Sequence, residues 1–229
     1  METKDIQYFL DAENAFKEAH SEYGKPLWDE KYGYTEVGQE DRANFLMHKP
    51  FDSNLSRVKQ LKQPLGKELE YGLTMAERVL LFMYYAKDSG KFRDDYYYDK
   101  ANMPEVITAM FEGLNNLVQK APQNKDSILY RFCCYEDPKN FKVGEVVTFP
   151  YNLTCTNNNW NQGDLKNVYV ITPLPNGETK AHNLFDIYNH AGENQVDFLR
   201  GTTFKVTKVE NTKGSKYKKY YLTELKSEE

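Results

Sequence analysis

Apolar positions recur at two different periods along this chain, and the change falls near residue 125. In the first part the spacing is helical. Phe9, Leu10, Ala12, Phe16 and Ala19 make one stripe, which predicts a helix over about 6–20. The stretch 23–41 is rich in Gly, Tyr and charge and carries no clear period. Short helices are expected at 41–48 and 52–63, the second stopped by Pro64. Thr74-Met75-Ala76-Glu77 has the form of a capping box ahead of the apolar run Val79 to Tyr85. Pro104 suits a first helical turn. Ile107, Met110, Phe111, Leu114, Leu117 and Val118 then recur at helical spacing, and Pro122 ends a helix predicted over 104–120.

From Ser127 the pattern becomes short and β-rich. Strands are expected over 128–135, 146–149, 168–174, 180–185, 195–199, 204–210 and 217–225. Turn signals separate them, at Asp137-Pro138, Pro175-Asn176-Gly177, Arg200-Gly201 and Lys213-Gly214. Helices first and strands later predict an α+β fold rather than a doubly wound parallel sheet. No repeat or low-complexity linker divides the parts. Residues 1–229 are therefore read as one domain, with a helical lobe over 1–125 and a β-rich core over 126–229.

Composition changes this picture in few places. The 18 Tyr, 13 Phe and 2 Trp supply rings for a core and some beyond it that can stack on a flat ligand. A net charge of −4 gives no global attraction to nucleic acid or membrane. Seven lysines after residue 204 form either a patch for an anion or the solvated faces of edge strands. Cys133, Cys134 and Cys155 have neither disulfide nor zinc spacing. The opening residues show no leader and no apolar run reaches membrane length. A cytoplasmic setting is expected, and a protein delivered into a host cell has the same appearance. His182 and His190 lack carboxylate or thiol companions at ligand spacing, so no metal is expected. There is no glycine-rich phosphate loop and no nucleophile elbow.

Four places have candidate chemistry. Arg131 lies within an otherwise apolar or aromatic strand, where a guanidinium needs a partner. Phosphate suits its planar fork, a structural carboxylate serves equally, and spacing does not choose between them. Thr154 and Thr156 share one face of an extended chain, either orienting a ligand or capping the next turn. Trp160 is isolated in the polar loop Asn157–Gly163, a position suited to stacking. Glu193 and Gln195 face one side of a strand-like segment; taken alone, they read as a solvated loop end.

In order, these features resemble the mono-ADP-ribosyltransferase family, in its arginine-serine-glutamate branch and in its bacterial and phage toxin-like form. The resemblance runs from Leu73 to the C-terminus. Leu73-Thr74 with Glu77, followed by Tyr84-Tyr85, is similar to the family's helical lead-in, and Leu129-Tyr130-Arg131 to its first-strand arginine motif. Thr154-Cys155-Thr156 stands where the family has serine-threonine-serine. Glu193-Asn194-Gln195, then Val196 and Gly201-Thr202, has the layout of the glutamate-x-glutamate turn and its closing strand.

The resemblance implies two twisted, roughly perpendicular β-sheets with helices alongside and NAD in a cleft. It implies cleavage of NAD with release of nicotinamide and transfer of ADP-ribose to a macromolecular acceptor, protein in preference to nucleic acid. Arg131 would bind the NAD phosphates and the main chain of Phe132 the nicotinamide amide. Thr154 would position the ribose, with Thr156 beside it, and Trp160 would cover the nicotinamide and phosphates. Tyr188 and Glu193 would meet the acceptor, an arginine if Glu193 plays the family's orienting part. Gln195 takes the catalytic position.

That position departs from the family. Gly201 lies six residues after Gln195, where a glutamate is expected. A carboxylate there would stabilise the oxocarbenium-like transition state, whereas an amide carries no charge. The chain is therefore an inactivated Glu→Gln variant, a non-catalytic NAD- or partner-binding member, or an enzyme whose acid lies elsewhere, with Asp197 as the nearby substitute. Phe132 replaces a common glycine, and the serine-threonine-serine strand is substituted throughout, although two hydroxyls remain. An NAD glycohydrolase, with water as acceptor, fits the same residues.

Overall fold

The computed structural model describes residues 2–19, 28–29, 33–34, 58, 61–85, 105–133, 140–161 and 165–226. They fall into two compact units, one of residues 1–65 and 72–117, the other of 66–71 and 118–229.

The first unit holds α1 (Ile6–Ala19), a small antiparallel pair β1 (Trp28–Asp29) and β2 (Gly33–Tyr34), α2 (Met75–Tyr85) and most of α3 (Glu105–Lys120). Each helix has a local cause. Asp5 accepts the Tyr8 N–H at 2.9 Å and starts α1. The capping box before α2 closes reciprocally: Glu77 N–H donates to Thr74 Oγ1 at 3.2 Å, and Thr74 N–H to Glu77 Oε2 at 2.7 Å. Val79, Leu80, Leu81 and Met83 are buried along α2. A Cβ at Gly113 would come within 2.7 Å of Leu80 Cδ1 and 3.0 Å of Thr3 Cγ2, so a larger residue in α3 would have to displace these side chains. The helix expected at 41–48 and most of that at 52–63 lie outside the described residues, and Leu61–Gln63 form a turn. Arg78 donates to the Leu61 and Gln63 carbonyls and holds that turn on α2.

The second unit is built on eight strands: β3 (Leu129–Phe132), β4 (Val146–Thr148), β5 (Leu153–Thr156), β6 (Val168–Thr172), β7 (Ala181–His182), β8 (Gln195–Phe198), β9 (Thr203–Asn211) and β10 (Lys218–Glu224). Their order is β4-β9-β10-β6-β3-β5-β8-β7. Neighbours are antiparallel except for β10 and β6. The chain is α+β, as expected.

The two sheets implied by the resemblance are two halves of this order, joined where β3 and β5 pair at the single position Tyr130↔Thr156. The halves face one another. Phe198 of β8 and Phe204 of β9 do not belong to paired strands, yet their rings meet edge-on at 4.9 Å. Phe149, Tyr169 and Tyr220 extend this buried aromatic core. The strand expected over 180–185 is shorter: after His182 a 3-10 turn takes Leu184–Asp186. The lysine-bearing strands β9 and β10 are interior to the order rather than edges, with Lys205 and Lys208 on exposed positions.

Candidate functional site

The junction between the sheet halves is where the candidate residues gather. Pairing places Tyr130, Thr156 and Gln195 in one row across β3, β5 and β8. Residues paired in this way share a face. Thr154 pairs with Asp197 on the same face, and Asp197 with His182 on β7. Gln195, Asp197, Thr156 and His182 are all buried, and Thr154 is partly so.

Hydrogen bonds hold this face. Gln195 Nε2 donates to Asp197 Oδ2 at 2.8 Å. Thr156 Oγ1 donates to the Glu193 carbonyl at 2.7 Å and accepts the Asn158 N–H at 3.0 Å, so this hydroxyl fastens the turn before β8 to the loop after β5. That turn is tightly wound, with positive φ at Ala191, Gly192 and Asn194. Asn194 N–H and the Asn189 side chain close it through two bonds of 3.0 and 2.8 Å, and Asn194 Nδ2 reaches Asn157 Oδ1 at 3.1 Å. Glu193 is left exposed at the tip. Tyr188 stands at the start of the turn, its hydroxyl 3.2 Å from His190 Nδ1. His182 Nδ1 lies 2.7 Å from the Ala121 carbonyl; that oxygen can only accept, so Nδ1 carries the proton.

Arg131 enters differently. It pairs with Tyr169, a core residue, and so alternates away from Tyr130 and Phe132. Its Nη1 donates to the main-chain oxygen of Thr154 at 2.9 Å. That carbonyl lies just beyond the single paired position of β3 and β5. One of its five N–H groups is used in this bond.

Phe132 and Trp160 stack with centroids 5.1 Å apart and planes at 21°, and Tyr130 lies nearly parallel to Phe132 at 6.4 Å. Trp160 keeps 43% exposure. Beside these rings is a cavity of about 330 Å³, lined by Tyr130, Phe132, Asn159, Asn161, Thr212 and Lys219 among others. Residues 162–164 of this loop lie outside those described.

The structure therefore brings Thr154, Thr156, Gln195 and the Glu193 main chain together and sets Arg131 at the strand junction. Phe132 and Trp160 form a stack next to it. Sequence reasoning missed Tyr130 as a member of the row, the asparagines that brace the turn, and the Gln195–Asp197 bond. Only the last had a signal, the spacing of two along a strand.

No family model matches the sequence, and comparison with curated proteins finds no match. Solved structures do match. Exoenzyme S from Pseudomonas aeruginosa, in complex with human 14-3-3 protein beta and bound to carba-NAD, is 14% identical with a TM-score of 0.56, over 81% of this chain and 88% of that one. C3stau2 from S. aureus, solved with NAD, is 12% identical with a TM-score of 0.53, over 76% and 96%. Vis toxin, an ADP-ribosyltransferase from Vibrio splendidus, is 12% identical with a TM-score of 0.52, over 89% of each. At such identities the likeness is one of fold. This chain has the fold of the mono-ADP-ribosyltransferase toxins.

Proposed function

We propose that the chain binds NAD and transfers its ADP-ribose to a macromolecular acceptor. The bond from ribose C1′ to the nicotinamide nitrogen breaks, its electron pair leaves with neutral nicotinamide, and a nucleophile adds to C1′ and loses a proton. The observation that carries the reading is the row Tyr130–Thr156–Gln195 with Thr154 beside it, while Arg131, from the opposite face of β3, reaches the same junction through the Thr154 carbonyl. Two neighbours of the same fold, solved with carba-NAD and NAD, support the choice of substrate.

In this reading the remaining N–H groups of Arg131 hold the NAD phosphates and the main chain of Phe132 the nicotinamide amide. Thr154 and Thr156 orient the ribose, Gln195 accepts from its hydroxyls, and Trp160 covers the ring. Glu193, exposed on its braced turn, would orient a cationic acceptor with Tyr188 at the start of that turn, and this supports protein arginine as the acceptor. One observation favours a second reading, NAD binding without efficient turnover: Gln195 is an amide, and Asp197, the nearest carboxylate on its face, is buried.

A thermal-shift series with NAD, together with nicotinamide release and transfer of labelled ADP-ribose in a cell extract, separates the two. Binding with release and labelled protein is the expected result. Release with free ADP-ribose instead indicates a glycohydrolase, and binding alone supports the second reading. No shift at millimolar NAD sinks both.

A further inference from the structure

Residues 66–71 part company with their neighbours in the chain. Leu65 before them and Gly72 after them belong to the helical unit, whereas Gly66–Tyr71 belong to the β-rich unit. There they rest on the start of the turn that carries Tyr188 and Glu193. Lys67 N–H donates to the Ile187 carbonyl at 2.7 Å. One residue earlier, a Cβ on Gly66 would lie 2.5 Å from that same oxygen and 3.3 Å from Tyr188 Cα. Both are main-chain atoms, so no side-chain rotation makes room, and any side chain here would have to push the two backbones apart.

The segment is also stiffened from within. Glu68 is fully buried, and its Oε2 accepts the Gly66 N–H at 2.7 Å. Tyr71 N–H closes a turn onto the Lys67 carbonyl at 3.2 Å.

The turn resting on it is thereby fastened at both ends. At the near end the Ile187 and Tyr188 N–H groups bond the Leu184 carbonyl at 3.0 and 3.1 Å, and the Ile187 carbonyl accepts from Lys67. At the far end Thr156 holds the Glu193 carbonyl, and Asn157 holds the Asn194 side chain. The turn includes positive φ at Ala191, Gly192 and Asn194. Such a path does not follow from ordinary backbone preference, so its shape depends on its anchors.

We infer that Gly66–Tyr71 is a positioning strap for this turn, setting where Tyr188 and Glu193 stand when they meet the acceptor. This rests on the reading of those two residues given above. The strap bears on Ile187 and Tyr188, whereas the hydroxyls and the amide assigned to the ribose lie on β5 and β8. Loosening it misplaces the acceptor and leaves the handling of NAD as it is.

The test compares full-length wild type with Gly66→Ala, Glu68→Ala and a control, Gly144→Ala. Gly66→Ala adds one methyl group against Ile187. Glu68→Ala frees the Gly66 N–H without adding an atom there, and serves alone where Gly66→Ala does not fold. Gly144 has a φ of 90° and open space around its Cβ position, so alanine strains the chain there without touching the turn. Amide exchange is followed at Tyr188, Glu193 and Asn194, with Tyr169 and Leu222 as core references. NAD affinity, nicotinamide release without added protein, and label transfer to protein in a cell extract are measured on the same samples.

In the strap variants, exchange at the three turn amides should quicken about tenfold or more while Tyr169 and Leu222 stay protected. Transfer to protein should fall about tenfold or more, since a small displacement of an orienting group is enough, with NAD affinity and basal release within about twofold of wild type. Gly144→Ala should leave the ratio of transfer to release unchanged. Turn amides that exchange as in wild type overturn the strap. So does quickening that is equal at the turn and in the core, which would mark 66–71 as a general support. Local quickening with undiminished transfer overturns the acceptor role while leaving the NAD reading intact. If wild type binds no NAD and labels no protein, the transfer reading falls and the acceptor role falls with it, and the exchange result alone then decides whether the strap holds the turn.

Discussion

The guanidinium of Arg131 spans the place where β3 and β5 part, with Nη1 2.9 Å from the main-chain oxygen of Thr154. A side chain at this junction has two jobs in the proposed mechanism: it holds the Thr154 carbonyl, and it offers its other N–H groups to phosphate. The two are separable. Arg131→Ala should cost about 1.5–3 kcal/mol of stability by removing this charged hydrogen bond, and should also weaken NAD binding. Arg131→Lys should recover part of the stability, since one donor can still reach the carbonyl, but little of the affinity, because a point charge cannot grip two oxygens at once. Chemical denaturation and NAD titration read the two effects, with Arg200→Ala as the control. Wild-type affinity in Arg131→Lys would show that charge alone matters.

Trp160 provides a test that leaves the fold untouched. It is 43% exposed and stacked on Phe132. Trp160→Ala should change folding stability by less than about 0.5 kcal/mol. It should weaken NAD binding several-fold, since a ring stack contributes about 0.5–1.5 kcal/mol. Wild-type fluorescence should be quenched by NAD and that quenching should vanish in Trp160→Ala, leaving the signal of Trp28. Undiminished quenching would place the ligand away from this loop.

How much of this was legible beforehand depends on what kind of atom carries each contact. The helices and most strands could be read because one face of each is apolar at a fixed period, as in β10, where Tyr220, Leu222 and Glu224 alternate inward. β8 was expected over 195–199 and is found at Gln195–Phe198, whereas β5 resists that reading because it is buried on both faces and Thr154 and Thr156 break its alternation. The capping box was legible because two side chains define it. The acceptor for Arg131 was not, because it is a main-chain carbonyl, which every residue possesses and no spacing marks. Spacing likewise puts Gln195 and Asp197 on one face, but the direction of the amide follows only from their 2.8 Å contact.

At the start of α2, Thr74 and Glu77 cap each other, and Glu77 Oε1 also accepts from Thr3 Oγ1 at 3.0 Å. Thr74→Ala should lower the stability of the helical unit by about 1 kcal/mol, and Thr74→Ser should restore most of it. Glu77→Ala should cost more, since it frees both the Thr74 N–H and the Thr3 hydroxyl. Urea melts followed by circular dichroism measure this. Equal losses for Thr74→Ala and Thr74→Ser would mean that the threonine methyl group, rather than the cap, matters.

Glu224 ends β10 with its carboxylate buried, and it is held by three donors. Oε2 accepts the Leu174 N–H at 2.8 Å and the Thr179 hydroxyl at 2.7 Å, and Oε1 accepts the Lys180 N–H at 2.8 Å. All three donors come from the connection between β6 and β7, so one side chain fastens that connection to the far side of the sheet. The arrangement requires two acceptor oxygens. Glu224→Gln preserves shape but supplies only one, and its NH2 would confront either the Lys180 N–H or the Leu174 and Thr179 donors. The loss should therefore approach that of Glu224→Ala, about 2–4 kcal/mol for charged hydrogen bonds broken in a buried place. Glu224→Asp, shorter by one methylene, cannot reach all three and should fall between. A local effect is expected before the global one. Amide exchange at Leu174 and Lys180 should quicken in Glu224→Gln under conditions where the core positions Tyr169 and Leu222 stay protected. Since β7 follows this connection directly and pairs with β8 through His182↔Asp197, NAD affinity should also drop modestly. Unchanged exchange at Leu174 and Lys180 would show that the connection is held by its own turn at Pro175–Glu178, where the Glu178 and Thr179 N–H groups bond the Pro175 carbonyl, and that Glu224 merely occupies the space.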